Sequence, residues 1–442
     1  MINIQIYTII NIKDKKINGK ERVMRKQHPL IHTLMHLKGN PRACVYTEPL
    51  WGIPFNLFAP YVSIYMYTLG LTDSQIGFTA SIGMFFQIIF SLLGGVITDK
   101  LGRKRTTFIF DILSWSIPCL IWAFSRNFSH FVLAAIINSI SRVTMNSWNC
   151  LLVEDCDKEQ IVNIYTWVYI LGLGAAFFAP ISGIFIGKFE LVPTVRVLYI
   201  ISFVIMTSKF LILNKYSTET AQGKIRMEET KHTNITTLLR GYSTVFIQII
   251  KTPETLLTLG IMLIMSIIGV VNNTFWAIIV TERIHIPASL IGIFPFIRAS
   301  VMIVFFFTLV HKIGALRFKK PLIIGFSLFI ISQILLIITP DSGYFILIIS
   351  IILEACSISL ISPLLDSMQV LLVDPQERAR IMAILYVIVV AFTSPFGWIA
   401  GILSGIDRRL PFLLNIFLLL IGILLTYFQS VMSSHKSSIK NL

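Results

Sequence analysis

Runs of eighteen or more nearly uncharged residues recur along the whole of this 442-residue chain. Each is long enough to cross the roughly 30 Å hydrocarbon core of a bilayer as a helix. Lipid offers the backbone no hydrogen-bond partner, so a spanning segment must satisfy its own N–H and C=O groups, as a helix does. The short alternating segments of a membrane barrel are absent. Only 13% of the residues are charged, against about 25% in soluble domains, and the mean hydropathy is +0.78. The expected fold class is an all-α, polytopic integral membrane protein.

Twelve spans are expected, near 48–70, 75–98, 105–125, 128–151, 161–187, 193–213, 255–280, 288–310, 319–339, 343–371, 380–404 and 410–431. An even number puts both termini on one side. Most of the 37 lysines and arginines then fall in the segments on that side, which the positive-inside rule makes cytoplasmic. The net charge of +15 follows from this topology and from anionic lipid, so no nucleic-acid partner is needed. The first 23 residues carry their charges after an apolar stretch and offer no small-residue cleavage site, unlike a secretory signal. Met24 opens a more typical lead-in, which leaves Met1 and Met24 as the two candidate translational starts.

The chain divides into a cytoplasmic segment (1–47), a six-helix bundle (48–213), a cytoplasmic central loop (214–254), a second six-helix bundle (255–431) and a tail (432–442). The loop begins polar, as a flexible linker does. Leu238, Leu239, Tyr242, Val245, Phe246, Ile249 and Ile250 then share one helical face, which suits a helix lying on the membrane surface. The bundles look related. "LLVEDCDKEQIVNIY" at 151–165 aligns without gaps to "LLVDPQERARIMAIL" at 371–385, each between the fourth and fifth spans of its half. Duplicated halves are typical of transporters that rock about a central site.

Between the second and third spans stands "GGVITDKLGRKRT", residues 94–106. Gly95 is expected to let the second helix approach a neighbour closely, and Gly102 to permit a tight reversal. Asp99 suits a helix N-terminus or a nearby arginine, while Lys100, Arg103, Lys104 and Arg105 anchor the turn at the anionic surface. The spacing of Gly95, Asp99, Lys100, Gly102, Arg103 and Lys104 resembles the loop motif of the major facilitator superfamily, and the chain resembles that family over its entire length. The resemblance implies two pseudo-symmetric six-helix bundles, with this loop as a gating latch between helix two and the far half. The equivalent second loop, "VHKIGALRFKK", has His311 in place of the aspartate and is given no gating role. In span five, "AAFFAPISGIF" matches the family's antiporter element only at Pro180 and Gly183; Pro180 is expected to loosen the helix.

A charge at mid-membrane costs about 2.5–3.5 kcal/mol on insertion scales, so such residues face a cavity or a partner. Polar stripes run down span four (Asn138, Arg142, Asn146, Asn149) and span ten (Glu354, Ser362, Asp366, Gln369). Span seven adds Asn272, Asn273 and Trp276, and span one adds Asn56, Tyr61, Ser63 and Tyr65. These are the helices that line the central path in the resembled family. Gln87 in span two is an exception. The repeat offset sets Arg142 opposite Asp366, either as a proton-coupling pair or as a static ion pair joining the halves. Glu354 is nominated as a proton carrier; it has no obvious partner in the sequence, and Arg298 in span eight is one candidate. Asp111 is expected to pair with the basic loop, and Lys209 to extend to the membrane surface.

Cys44, Cys119, Cys150, Cys156 and Cys356 form no CxxC pair and are expected to be unpaired. His28, His32 and His36 lack a compatible thiolate or carboxylate, so no metal site is expected. No phosphate loop and no catalytic motif of an enzyme is present, and no cofactor is expected. The sequence therefore points to a secondary active transporter in the plasma membrane. It would act as a monomer, move a small organic solute by alternating access and couple to protons. The alternative is a transporter-like sensor that binds solute without net transport.

Overall fold

A computed structural model of the chain describes residues 29–157, 160–231, 253–308, 319–371 and 378–440, with side chains outside the description at 29, 253–255, 306–307, 366–371, 378–383 and 429–440. Every regular element among the described residues is helical. Eleven helices are long and apolar enough to cross a membrane: Asp73–Leu101, Arg103–Ala123, Phe128–Val153, Ile161–Phe189, Leu191–Tyr216, Leu256–Glu282, Ala288–Phe305, Lys319–Ile338, Tyr344–Leu365, Ile384–Ile406 and Leu410–Phe428. These correspond to the expected spans two to twelve.

Span one differs. It is built from an α-helix at Pro49–Phe58, a 3₁₀ turn at Ala59–Tyr61 and a second α-helix at Val62–Thr68. Pro54 and Pro60 each remove a backbone donor and crowd the preceding turn, so the ladder is interrupted. No single piece reaches spanning length, although together they form a twelfth crossing segment. Span five is interrupted too, between Ile161–Ala176 and Ala179–Phe189, with Pro180 at the start of the second piece. Span three contains a π-helical turn at Ile112–Ser116.

The two sets of spans meet along seams of small residues at the end of the molecule remote from the termini. Spans two and eleven touch backbone to backbone: a Cβ on Gly77 would lie 2.2 Å from the Gly397 carbonyl oxygen, and one on Gly401 2.6 Å from that of Asp73. Spans five and eight repeat the arrangement, since a Cβ on Gly183 would lie 2.0 Å from the Ser289 carbonyl oxygen. Such approach replaces the hydrophobic drive that lipid does not supply. Polar contacts fasten the seams. Asp73 accepts from Ser404 and Arg408, the Trp398 amide donates to Ser81 at 2.7 Å, and the Gly292 amide donates to the Tyr61 hydroxyl at 2.9 Å.

The segment before span one is no loose lead. Helices Pro29–His36 and Gly39–Thr47 pack on the first bundle, where Trp167 donates to the Leu30 carbonyl at 2.8 Å and Asn40 to Asp155 at 3.1 Å. The opening of the central loop is likewise ordered: helix Ala221–Thr230 lies against span two, with Thr230 donating to the Asp99 carbonyl at 3.2 Å. A flexible linker was the expectation there. Tertiary hydrogen bonds overrule the polar composition. The surface-helix residues 238–250 and the degenerate loop with His311 lie outside the described residues.

The glycine seam sets a first expectation. In Gly397→Val, overpacking by about 1–3 kcal/mol should raise maleimide labelling of a cysteine at position 81 about tenfold. Unchanged labelling would show that the seam does not close this end.

Candidate functional site

Deep in the second bundle, five helices converge on one polar cluster. Glu354 of span ten is 2% exposed. Its carboxylate accepts from the Arg298 guanidinium at 3.0 Å and from the Asn272 amide at 3.0 Å. Asn415 of span twelve donates to the Asn272 side-chain oxygen at 2.9 Å and to Gln333 of span nine at 3.0 Å. A buried carboxylate without a partner would cost several kcal/mol, and this cluster supplies a cation and an amide. Spare capacity remains, because Arg298 Nε, Gln333 Nε2 and Asn415 Oδ1 are buried and unpartnered. About a third of the Arg298 side chain stays accessible.

Of the nominated residues, the structure brings Asn272, Arg298 and Glu354 together. Gln333 and Asn415 stand on spans nine and twelve, outside the helices expected to line the path. Their signal was present: a lone amide inside "FIISQILLII" or "LPFLLNIFLLL" is as costly in lipid as any stripe member. Trp276 is nearly buried and meets Phe294 edge-on at 5.2 Å, while Asn273 is exposed.

In span four the stripe divides. Asn138 donates to the Ser114 carbonyl at 2.7 Å and Asn149 to the Met145 carbonyl at 2.8 Å. In span one Asn56 donates to the Gly52 carbonyl at 2.8 Å. All three amides thus bond to backbone. Arg142 donates to Gln87 at 2.9 Å and lies 4.7 Å from the Tyr386 ring centre in span eleven, a cation–π contact between the two sets of spans. Gln87 is therefore the partner of the stripe's charge and no exception to it. The Asp366 side chain, and with it the expected pairing with Arg142, lies outside the described residues.

The charged loop after span two departs from expectation at Gly95 and at Arg103, which is buried and not at the anionic surface. Gly95 makes no close approach: nothing lies within 4 Å of a Cβ built there. The neighbouring Gly94 does, with a Cβ 2.7 Å from Asn146 Nδ2 and 3.3 Å from Val143 Cα, because helical phase turns Gly94 toward span four and Gly95 away. Of its two expected partners Asp99 takes the arginine, Arg103, and leaves the N-terminus of the next helix to another group. The Glu219 carboxylate caps that helix, taking the Arg103 and Lys104 amides at 2.8 and 3.0 Å. Gly102 behaves as expected, with φ of 83° at the reversal. Arg103 is 4% exposed; it donates to Asp99 at 3.1 Å and to both oxygens of Glu154 at 3.0 to 3.2 Å. Burial pushes the Glu154 carboxyl up, but hydrogen bonds from Arg103 and Thr220 and the Arg103 charge outweigh it, so the group is held below the usual carboxylate range. Among the described residues these side-chain contacts stay within the first bundle and the start of the central loop.

With this geometry in hand, comparison with known proteins is decisive for the family. The family model described as Major Facilitator Superfamily matches residues 52–317. The chain belongs to the major facilitator superfamily. Quinolone resistance protein NorA of Staphylococcus aureus is 28% identical over 135 residues, covering 28% of this chain and 34% of NorA; the chain thus spans about a third of the length of the curated relatives it matches. Among solved structures, the nucleoside transporter NupG superposes with a TM-score of 0.67 at 16% identity, over 89% of this chain and 98% of NupG. A bacterial homologue of the human lysosomal transporter Spinster gives 0.65 at 15%, over 91% and 98%. At these identities they share the fold.

All five cysteines are free, and no cluster of metal-binding side chains occurs among the described residues. Two expectations follow from the loop. Gly95→Ala should raise thermal stability by up to about 1 kcal/mol through helix propensity, while Gly94→Ala should lower it by about 1–3 kcal/mol through overpacking against span four; thermal unfolding in detergent separates them. Because Glu154 is depressed in the folded state, its stabilisation is full above the ordinary glutamate range and is lost as pH falls through the folded value. Glu154→Gln should therefore melt lower at neutral pH and show a shallower acid dependence than the parent.

Proposed function

We propose that this protein is a proton-coupled secondary active transporter that moves a small organic solute by alternating access. The observation that carries the reading is Glu354, sealed among apolar helices yet bonded to a partly accessible Arg298. When ionised, Glu354 occupies Arg298. Taking up a proton neutralises it and frees the guanidinium for an acceptor on the solute, so proton and solute exchange on one cluster. The spare donors on Arg298 and Gln333 and the spare acceptor on Asn415 supply further polar contacts, and Trp276 offers an aromatic wall. The similarity to NorA, a quinolone resistance protein, favours export of amphipathic, ring-bearing solutes over sugar uptake.

In this reading the halves at 48–213 and 255–431 rock about the Glu354 level. The glycine seams close the outer face, and the Asp99–Arg103–Glu154 cluster acts as the latch on the inner face, Gly95 keeping only its place in the motif. Asn56, Asn138, Arg142, Asn146, Asn149 and Asn273 line the route. The protein lies in the plasma membrane as a monomer with both termini in the cytoplasm.

The test is flux in proteoliposomes with an imposed pH gradient, across a panel of amphipathic compounds. Glu354→Gln should cut gradient-driven flux by about a hundredfold while leaving solute counterflow intact. Gradient-driven flux equal to that of the parent would sink the proton-coupling role.

A further inference from the structure

The basic loop after span two is held by a segment far from it in the chain. Asp111 is not its partner: the ion pairs of Arg103 go to Asp99 and Glu154. Nor does Lys209 reach the membrane surface; it is buried and pairs with Glu48 at 3.5 Å inside the bundle. The loop's remaining contacts come from residues 218–230, the start of the central loop. Asn40 binds both backbone groups of Thr218, accepting from its amide at 2.8 Å and donating to its carbonyl at 3.0 Å. Asp155 accepts from Asn40 at 3.1 Å and from the Ala221 amide at 3.2 Å. Thr220 is fully buried and donates to Glu154. It also caps the helix Ala221–Thr230, accepting from the Gly223 amide at 2.8 Å. Thr230 fastens the far end of that helix to the Asp99 carbonyl.

Glu219 stands at the centre of these contacts. Its two carboxylate oxygens take the Arg103 and Lys104 amides, in the first turn of span three, where the helix dipole favours a negative charge. Two glycines wall the carboxylate. A Cβ on Gly102 would lie 2.5 Å from Glu219 Oε2, and one on Gly223 would lie 2.0 Å from Oε1 and 2.9 Å from Arg103 Cδ. Neither position has room for a side chain while the carboxylate stays seated. The Met227 sulfur lies against the same socket, 2.7 Å from the Cβ position of Gly102. Glu219 thus fixes the backbone of the loop, and its neighbour Thr220 fixes Glu154, the acceptor of Arg103.

We propose that Glu219 is a positioning residue of the inner-face latch, and that residues 218–230 form a clasp that seats Arg103 between Asp99 and Glu154. The inference rests on the latch role given above to those three residues. Glu219 orients the backbone from which the guanidinium projects, and Thr220 turns the Glu154 carboxylate toward it. Without the clasp the Arg103 and Lys104 amides lose their acceptor, since a helix cannot satisfy its own first amides. The guanidinium, now 4% exposed, is then free to swing into water. The clasp travels with the first bundle, so the loop keeps its shape while the halves rock.

The test is phenylglyoxal modification of arginines and limited trypsin digestion of the full chain in lipid nanodiscs, each read site by site by mass spectrometry. In the parent, Arg103 should resist phenylglyoxal, and the helix should protect its exposed Lys224 and Arg226 from trypsin. Glu219→Ala should raise Arg103 modification and cleavage after Lys224 about tenfold each. Gly223→Ala keeps every charge and improves helix propensity, yet should act in the same direction by unseating the carboxylate. Glu219→Gln, which keeps one acceptor oxygen, should fall between Glu219→Ala and the parent, and Arg298 in the other bundle should react at the parent's rate throughout. Arg103 protected as in the parent in both Glu219→Ala and Gly223→Ala overturns the proposal. Faster cleavage with Arg103 still protected overturns it as well, since the helix would then be attached to the loop without positioning it. The latch role is read separately, from flux in Arg103→Lys: a parent-level rate removes the latch while the seating of Arg103 stands.

Discussion

A charge placed among helices in lipid must find a partner inside the protein or give up its charge, and this requirement organises the molecule. It explains why the polar residues gather in separate clusters at different depths. Asp73 with Arg408 lies at the end remote from the termini, and Glu354 with Arg298 lies in the second bundle. Glu48 with Lys209 lies in the first, as does Arg103 with Glu154 and Asp99. Each cluster joins segments distant in the chain, so each holds a particular arrangement of helices.

Hydrophobic burial cannot choose among those arrangements, because lipid is as apolar as a leucine side chain. Close backbone approach and a few polar contacts do the choosing. Gly77, Gly397 and Gly401 bring spans two and eleven into contact, as Gly183 and Gly292 do for spans five and eight. Prolines add the complementary feature, interrupting spans one and five where straight helices would otherwise fill the bundle. A structure held by short seams and isolated ion pairs exchanges one set of contacts for another at modest cost, as a superfamily of rocking bundles requires.

Spans two to twelve were legible in the sequence within a few residues, because spanning length and charge exclusion are properties of single segments. The cost of Glu354 was legible too, with Arg298 as one candidate partner, but the structure chose that partner. Gln333 and Asn415 were visible as lone amides but belong to helices outside the expected path. Gly94 in place of Gly95, and Glu219 as the helix cap, were not legible. The first depends on a helix's rotation by one residue, and the second on a loop returning from more than a hundred positions away.

The sequence by itself determined a helical membrane protein with its order of spans and its costly polar residues, because lipid imposes those terms on every segment independently. Which charge meets which was decided only by tertiary structure. An ion pair is worth several kcal/mol at about 3 Å and little once water separates it, so the partners of Glu354, Arg103 and Lys209 follow from helix rotation and depth that no single segment encodes.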